Sequence, residues 1–380
     1  MKKNLRVLIA AGGTGGHVIP AATVAEEIRS LRPEAEFLFV GAGRPAEEEI
    51  LAPLGYPRKI LGVPTLAGKG PAKFALGLFG LAKSAIGAIS IVRDFKPDIC
   101  LAFGGYVCGP LGLAAKMFWA PLVLHEQNSK PGLTNRWLGR VADLVMVGFP
   151  EAETAFKARR VELVGNPVRK EISQLFVKDR PVAGDCPLIL VVGGSQGSRK
   201  INQAVTSLAT SLARNKVPFR LVHQTGIQMA EEVSAVYRSL GIQAQVNAFI
   251  PDMASVYAKA DLAIARAGAL TLAELTAARL PAILVPLPTA AGDHQTTNAK
   301  SMESHGLALM VPEGEIDGGA LEKAVLGFLQ NPGKLKAMSD KARNSPFDPA
   351  LVGPNMARLC LEVLENSQGH GPGRKTMDKG

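Results

Sequence analysis

Leu5-Arg6-Val7-Leu8-Ile9-Ala10-Ala11-Gly12-Gly13-Thr14-Gly15-Gly16-His17 decides the fold, because Leu188-Ile189-Leu190-Val191-Val192-Gly193-Gly194-Ser195-Gln196-Gly197-Ser198 repeats its logic in the second half of the chain. Each stretch is an apolar run of strand length closed by glycines and small hydroxyl residues. Glycine admits φ > 0 and close backbone approach, and a helix that starts at such a turn points unpaired N–H groups outward, toward an anion or a sugar.

Outward from the first stretch, residues 36–40, 98–103, 121–125 and 143–147 read as further buried parallel strands with helical patterns between them. After the second stretch the alternation restarts at 219–223, 244–249, 261–265 and 282–286. Strand–helix alternation of this kind gives a doubly wound α/β sheet. Two such sets predict two Rossmann-like domains in tandem, 1–165 and 166–349. Gly165-Asn166-Pro167 marks the junction, since proline ends regular structure. A last helix is expected over 354–365, with the segment 350–366 packing back on the first domain. The tail 367–380 has the composition of disorder.

The chain has 380 residues, 47% hydrophobic and 20% charged, which is globular composition. A net charge of +10 favours anionic partners: phosphorylated substrates, anionic lipid or nucleic acid. Aromatics make up only 5%, which argues against nucleic acid as a partner, because single-strand binders stack bases on aromatic rings. The four cysteines lack metal-ligand spacing and read as reduced thiols. Neither a signal peptide nor a bilayer-spanning segment is expected.

The first glycine loop is not a dinucleotide fingerprint. Its spacing differs from G-x-G-x-x-G, and the second strand ends Phe39-Val40-Gly41 without an acid for a ribose. His17, at the expected start of the following helix, suits a general base, or else a capping or packing role. His125-Glu126-Gln127-Asn128 follows the fifth strand and either lines a ligand crevice or forms a structural network. Gly268 turns the chain into a helix whose first residues, Ala269-Leu270-Thr271, can hold an anion. Glu274 can accept from a ribose diol or simply serve the helix dipole. Gln295 can address sugar hydroxyls, with Asp293 beside it a candidate helix cap. No Asp-x-Asp pair occurs, so no metal site and no cofactor are expected, and helix starts with Arg169 would stabilise a leaving diphosphate. Residues 69–96 mix Lys69, Lys73, Lys83, Arg93 and Lys96 with Phe74, Leu76, Leu78, Phe79 and Ile86, a pattern that suits either an anionic membrane surface or an ordinary packed helix.

Gly12-Gly13-Thr14-Gly15-Gly16-His17, Gly104-Gly105-Tyr106-Val107, His125-Glu126-Gln127-Asn128, Gly165-Asn166-Pro167-Val168-Arg169, the second glycine loop and the run Ala269-Leu270-Thr271-Leu272-Ala273-Glu274 together resemble the MurG glycosyltransferases of family 28, across roughly residues 5–365. These bacterial enzymes add N-acetylglucosamine to lipid I in peptidoglycan synthesis. The resemblance implies a GT-B fold, two Rossmann-like domains facing a cleft. It also implies UDP-N-acetylglucosamine as donor and undecaprenyl-pyrophosphoryl-MurNAc-pentapeptide as acceptor. It places Thr14, Gly15, Gly16, Asn128, Arg169 and Ser195 at the donor, Ile250 at uracil through its backbone, and Ala269, Leu270, Thr271, Leu272 and Ala273 at the phosphate. Glu274 would hold the ribose, Gln295 the sugar, and Gly104, Gly105 and Tyr106 the acceptor. The implied reaction is an inverting transfer to the C4 hydroxyl, with His17 the first candidate base and Glu126 the second. The protein would sit peripherally on the cytoplasmic face of the inner membrane, with a cell-wall or division complex as candidate partner. Cys108 stands where the family more often has serine. The alternatives are a UDP-N-acetylglucosamine 2-epimerase or a glycolipid synthase of similar fold, and, from another class, a non-catalytic nucleotide- or nucleic-acid-binding protein.

Overall fold

The structure, a computed structural model, describes residues 4–64, 71–178, 180, 184–194, 196–345 and 347–369, and the backbone alone of 71–79 and 369. The chain divides into two compact units. One comprises residues 1–127, 131–167 and 351–380; the other comprises 128–130 and 168–350.

The first unit is built on seven parallel strands: β1 (Arg6–Ala10), β2 (Glu36–Gly41), β3 (Arg58–Ile60), β4 (Ile99–Ala102), β5 (Leu122–Glu126), β6 (Leu144–Val147) and β7 (Val161–Leu163). Their spatial order is β3-β2-β1-β4-β5-β6-β7, with Val7 beside Ile99 and Leu8 beside Leu38 in register. The inner strands are apolar along their whole length because helices cover both faces. Leu8, Ala102, Leu124 and Val145 are completely buried in one cluster with Ala88 and Val92 of α3 (Pro71–Phe95) and Leu111 of a fourth helix. Strand order reverses between β1 and β4, so the loops after these two strands flank the switch point, where open α/β sheets receive ligands.

The second unit repeats the plan with β8 (Leu188–Val192), β9 (Arg220–Gln224), β10 (Ala244–Asn247), β11 (Leu262–Ala265), β12 (Ala282–Leu284) and β13 (Leu309–Met310), in the order β10-β9-β8-β11-β12-β13. Its switch point lies between β8 and β11. The second glycine loop follows β8, and Arg266-Ala267-Gly268 follows β11.

Several expectations need correction. Helix α1 is Gly15–Leu31, so Gly15 and Gly16 lie inside it and His17 is in its first turn rather than at its start. Strand β5 is Leu122–Glu126 and so runs one residue past the expected 121–125, taking in Glu126. The last helix is Pro349–Gly369; it carries Pro354 internally and extends three residues into the stretch expected to lack structure. The rest of that tail lies outside the described residues. So do Lys69 and the side chains of Lys73, Phe74, Leu76, Leu78 and Phe79.

Candidate active site

In the first unit, α1 begins directly after the β1 turn, with Thr14 exposed at its N-cap in extended geometry and Gly13 at φ +103°. Helix geometry leaves the amides of Gly15 and Gly16 without an intrahelical acceptor. His17 turns back on the loop, and its Nδ1 lies 2.8 Å from the Gly12 carbonyl oxygen. A carbonyl can only accept, so Nδ1 carries the proton and the neutral ring keeps its lone pair on Nε2. Nε2 faces the loop after β4. There Gly104 and Gly105 adopt φ +113° and +85°, and a Cβ on Gly104 would lie 2.7 Å from the His17 ring. The Gly12 amide donates to the Gly104 carbonyl at 3.2 Å, tying the two loops of the switch point together. Cys108 secures the second loop: its one thiol proton has the Gly104 carbonyl at 3.0 Å as its nearer acceptor and the Ala10 carbonyl at 3.4 Å as its other, and its sulfur accepts from the Gly104 amide. Burial pushes that thiol up to about 12, so it stays protonated. Tyr106 stands out from the loop, 62% exposed.

Glu126 is buried, and its carboxylate accepts from Asn135 Nδ2 at 2.8 Å and the Gly132 amide at 3.3 Å. It holds its own loop. His125 is buried as well; its Nε2 donates to the Gly165 carbonyl, and its Nδ1 accepts from Gln127 Nε2. Burial lowers this imidazole to about 4. Of the four polar residues His125 to Asn128, the first three are therefore buried, because β5 is a central strand with both faces covered.

In the second unit, Gly268 caps the helix Ala269–Ala277, whose first amides, on Ala269, Leu270 and Thr271, have no intrahelical acceptor. Leu272 is core and can meet a ligand through its backbone only; Ala273 is half-buried. Glu274, also buried, accepts from Arg169 Nη2 at 3.3 Å and from the Tyr257 hydroxyl at 3.0 Å. Burial holds its carboxyl above the usual range against the pull of Arg169. Gln295 Oε1 accepts from the Ala267 and Leu287 amides, which aligns the loop ahead of the helix and leaves the amide nitrogen as its donor. Asp293 precedes the helix His294–Ser304 at φ +60° without a side-chain cap bond. The Ile250 amide is taken by Gln224 Oε1 at 2.9 Å. Gln224 Nε2 also donates to Gly194, so one side chain links the second glycine loop to Ile250. Ser195 lies outside the described residues. Asn128 Oδ1 accepts from Asn298 Nδ2, while Asn298 Oδ1 accepts from the Ser129 amide and hydroxyl.

Sequence reasoning missed Tyr257, Gln224, Asn298 and Glu47, whose roles depend on contacts between distant segments. Arg266, just after β11, is buried, pairs with Glu313 and donates to Ser198 and the Val285 carbonyl. A different feature was also missed. On the first unit, α4 (Cys108–Met117) packs against α3 and α5 (Leu133–Leu138), and these elements expose Ile86, Leu113, Met117, Trp119, Leu133 and Trp137. Trp119, just past α4, is 92% exposed, and the Arg140 guanidinium stacks 4.0 Å over the Trp137 ring.

Two Rossmann-like units, each with a glycine-rich turn and a helix start at its switch point, are the architecture of a GT-B glycosyltransferase. The chain belongs to glycosyltransferase family 28: the family's N-terminal domain matches residues 7–147 and its C-terminal domain residues 188–351. The UDP-N-acetylglucosamine--N-acetylmuramyl-(pentapeptide) pyrophosphoryl-undecaprenol N-acetylglucosamine transferase of Myxococcus xanthus is 41% identical over 96% of this chain and 94% of its own. The protein of the same name from Methylococcus capsulatus is 41% identical over 94% of this chain and 98% of its own. Among solved structures, MurG of Acinetobacter baumannii superposes with a TM-score of 0.75 at 31% identity, covering 95% of this chain and 100% of that one. A UDP-N-acetylglucosamine 2-epimerase shares the fold at 17% identity, with a TM-score of 0.65 over 96% of this chain and 98% of its own.

Proposed function

We propose that this chain transfers N-acetylglucosamine from UDP-N-acetylglucosamine to the C4 hydroxyl of MurNAc in undecaprenyl-pyrophosphoryl-MurNAc-pentapeptide, with inversion at the anomeric carbon. Full-length kinship to enzymes named for this transfer supports the substrates. The geometric observation that carries the reading is His17, whose Nδ1 is committed to Gly12 and whose Nε2 is left as a base beside the Gly104–Gly105 turn.

Each residue then has a task. His17 Nε2 takes the proton as the acceptor oxygen attacks C1, and Tyr106 with Gly104 and Gly105 lines the acceptor's approach. The amides of Ala269, Leu270 and Thr271, together with Arg169, receive the departing diphosphate. Glu274 accepts from the ribose hydroxyls; a carboxylate offers about four lone-pair sites, and two serve Arg169 and Tyr257. The Ile250 carbonyl accepts from the uracil N–H, and Gln295 Nε2 donates to a sugar hydroxyl. Thr14, Gly15 and Gly16 address the sugar, and Asn128 is oriented by Asn298.

A lipid-linked acceptor also needs a membrane-facing surface. Among the described residues no helix is long and apolar enough to cross a membrane. The exposed residues of α4 and α5, with Arg136 on α5 and Arg140 just past it, suit the surface of an anionic leaflet instead. The test is a transfer assay with labelled UDP-N-acetylglucosamine and a short-chain lipid I analogue. Label in the acceptor, with UDP released one for one, supports the reading; donor turnover without acceptor would make the chain an epimerase.

A further inference from the structure

The peptide bond between Gly12 and Gly13 is held from both sides. Its carbonyl accepts from His17 Nδ1 at 2.8 Å, and its N–H donates to Glu47 Oε1 at 2.7 Å. Glu47 lies in the first turn of α2 (Pro45–Leu51), only 6% exposed. Its carboxylate also takes the amides of Ala42, at 3.0 Å, and Gly43, at 2.8 Å. A glutamate at a helix start is ordinarily a solvated surface group. This one is buried, and main-chain donors satisfy both of its oxygens, as a buried charge requires. A side chain at residue 41 would fall on this carboxylate and displace it.

We propose that Glu47 is a positioning residue for the transfer, acting on His17 through the Gly12–Gly13 peptide much as the buried acid of a hydrolase triad acts on its histidine directly. The inference rests on the reading of His17 as base. Negative charge at the peptide N–H draws density toward the peptide oxygen, because hydrogen bonds in a chain polarise one another. The Gly12 carbonyl becomes a better acceptor for Nδ1–H, which fixes the tautomer and favours the imidazolium that forms in the reaction. The proton balance is simple. The acceptor oxygen bonds to C1 as the bond from C1 to the diphosphate breaks, and the hydroxyl proton moves to Nε2. Nδ1 keeps its own proton and none crosses the peptide to Glu47; Nε2 later releases its proton to water.

The other titratable groups around His17 do not compete for this role. His125 is held at about 4 and Cys108 at about 12, both by burial, and Glu48, next to Glu47 on α2, pairs with Arg58.

The test uses the full chain. Histidine NMR should show His17 titrating lower in Glu47→Gln than in the wild type, by about half a unit or more. In the same variant kcat should fall about tenfold, with donor KM unchanged and the acid limb of the pH–rate profile moved to lower pH. A His17 midpoint and pH profile identical to wild type in a folded Glu47→Gln protein would overturn the proposal, whatever happens to Tm. Should that variant not fold, the unmodified protein decides: the Gly13 amide proton resonance should move with the His17 titration, and a Gly13 shift flat across it overturns the relay. The base reading fails separately, if His17→Ala keeps full turnover.

Discussion

Arg169 Nη2 lies 3.3 Å from Glu274 Oε1, and the Tyr257 hydroxyl occupies the other carboxylate oxygen. The pair joins the chain just after Pro167 to the middle of the helix whose start is assigned to the diphosphate. Glu274→Ala should therefore do two things. It should raise donor KM by about 10- to 100-fold, through loss of a charge-assisted contact. It should also lower stability by about 2–3 kcal/mol, because the Tyr257 hydroxyl loses its buried partner. Initial-rate kinetics and urea unfolding check both, and unchanged donor KM would contradict the ribose assignment.

His17→Ala should lower kcat by about 10²–10⁴, the usual worth of a positioned base. Donor KM should stay put, because the proposed role puts the ring at the acceptor rather than at the nucleotide. Steady-state kinetics at saturating donor separate the two.

The leaving charge is assigned to the amides of Ala269, Leu270 and Thr271 and to Arg169. Activity should survive excess chelator, and Arg169→Ala should lower kcat even at saturating donor. A rate abolished by EDTA and restored by magnesium would contradict this.

His125 gives a pH signature. Its imidazole titrates near 4 in the fold against an ordinary value of 6.5. The unfolded chain takes the proton first as pH falls, so the contribution is complete above about 6.5 and drains away between 6.5 and 4. The total is on the order of 3 kcal/mol. His223, held near 3 by burial, acts in the same direction in the second unit. Calorimetry from pH 7.5 to 4 should show a shallower loss of stability in His125→Gln than in the wild type; equal slopes would contradict the assignment.

Trp119 and Trp137, both largely exposed, are assigned to the membrane surface. Replacing both with serine should weaken co-sedimentation with anionic vesicles and leave turnover on a water-soluble short-chain acceptor unchanged. Vesicle binding equal to wild type would move the membrane contact elsewhere.

Legibility in the sequence followed burial. Central parallel strands such as Leu188–Val192 are covered on both faces and read directly as apolar runs. Arg58–Ile60, Val161–Leu163 and Leu309–Met310 did not, because they are edge strands of two or three residues without an apolar run. The glycine loops could be read because φ > 0 and close approach select glycine locally. Glu47, Tyr257 and Asn298 could not: each gains its role from a segment brought near only by the sheet. Trp119 and Trp137 illustrate the opposite limit, since an apolar side chain in a sequence carries no sign of whether it faces core or solvent.

A single displacement promoted by one base fixes the anomeric configuration of the disaccharide formed from the α-linked donor, and proton NMR of the purified product reads it. A β-1,4 linkage is the predicted result. An α linkage would mean retention, which a single in-line displacement cannot give, and would contradict this scheme.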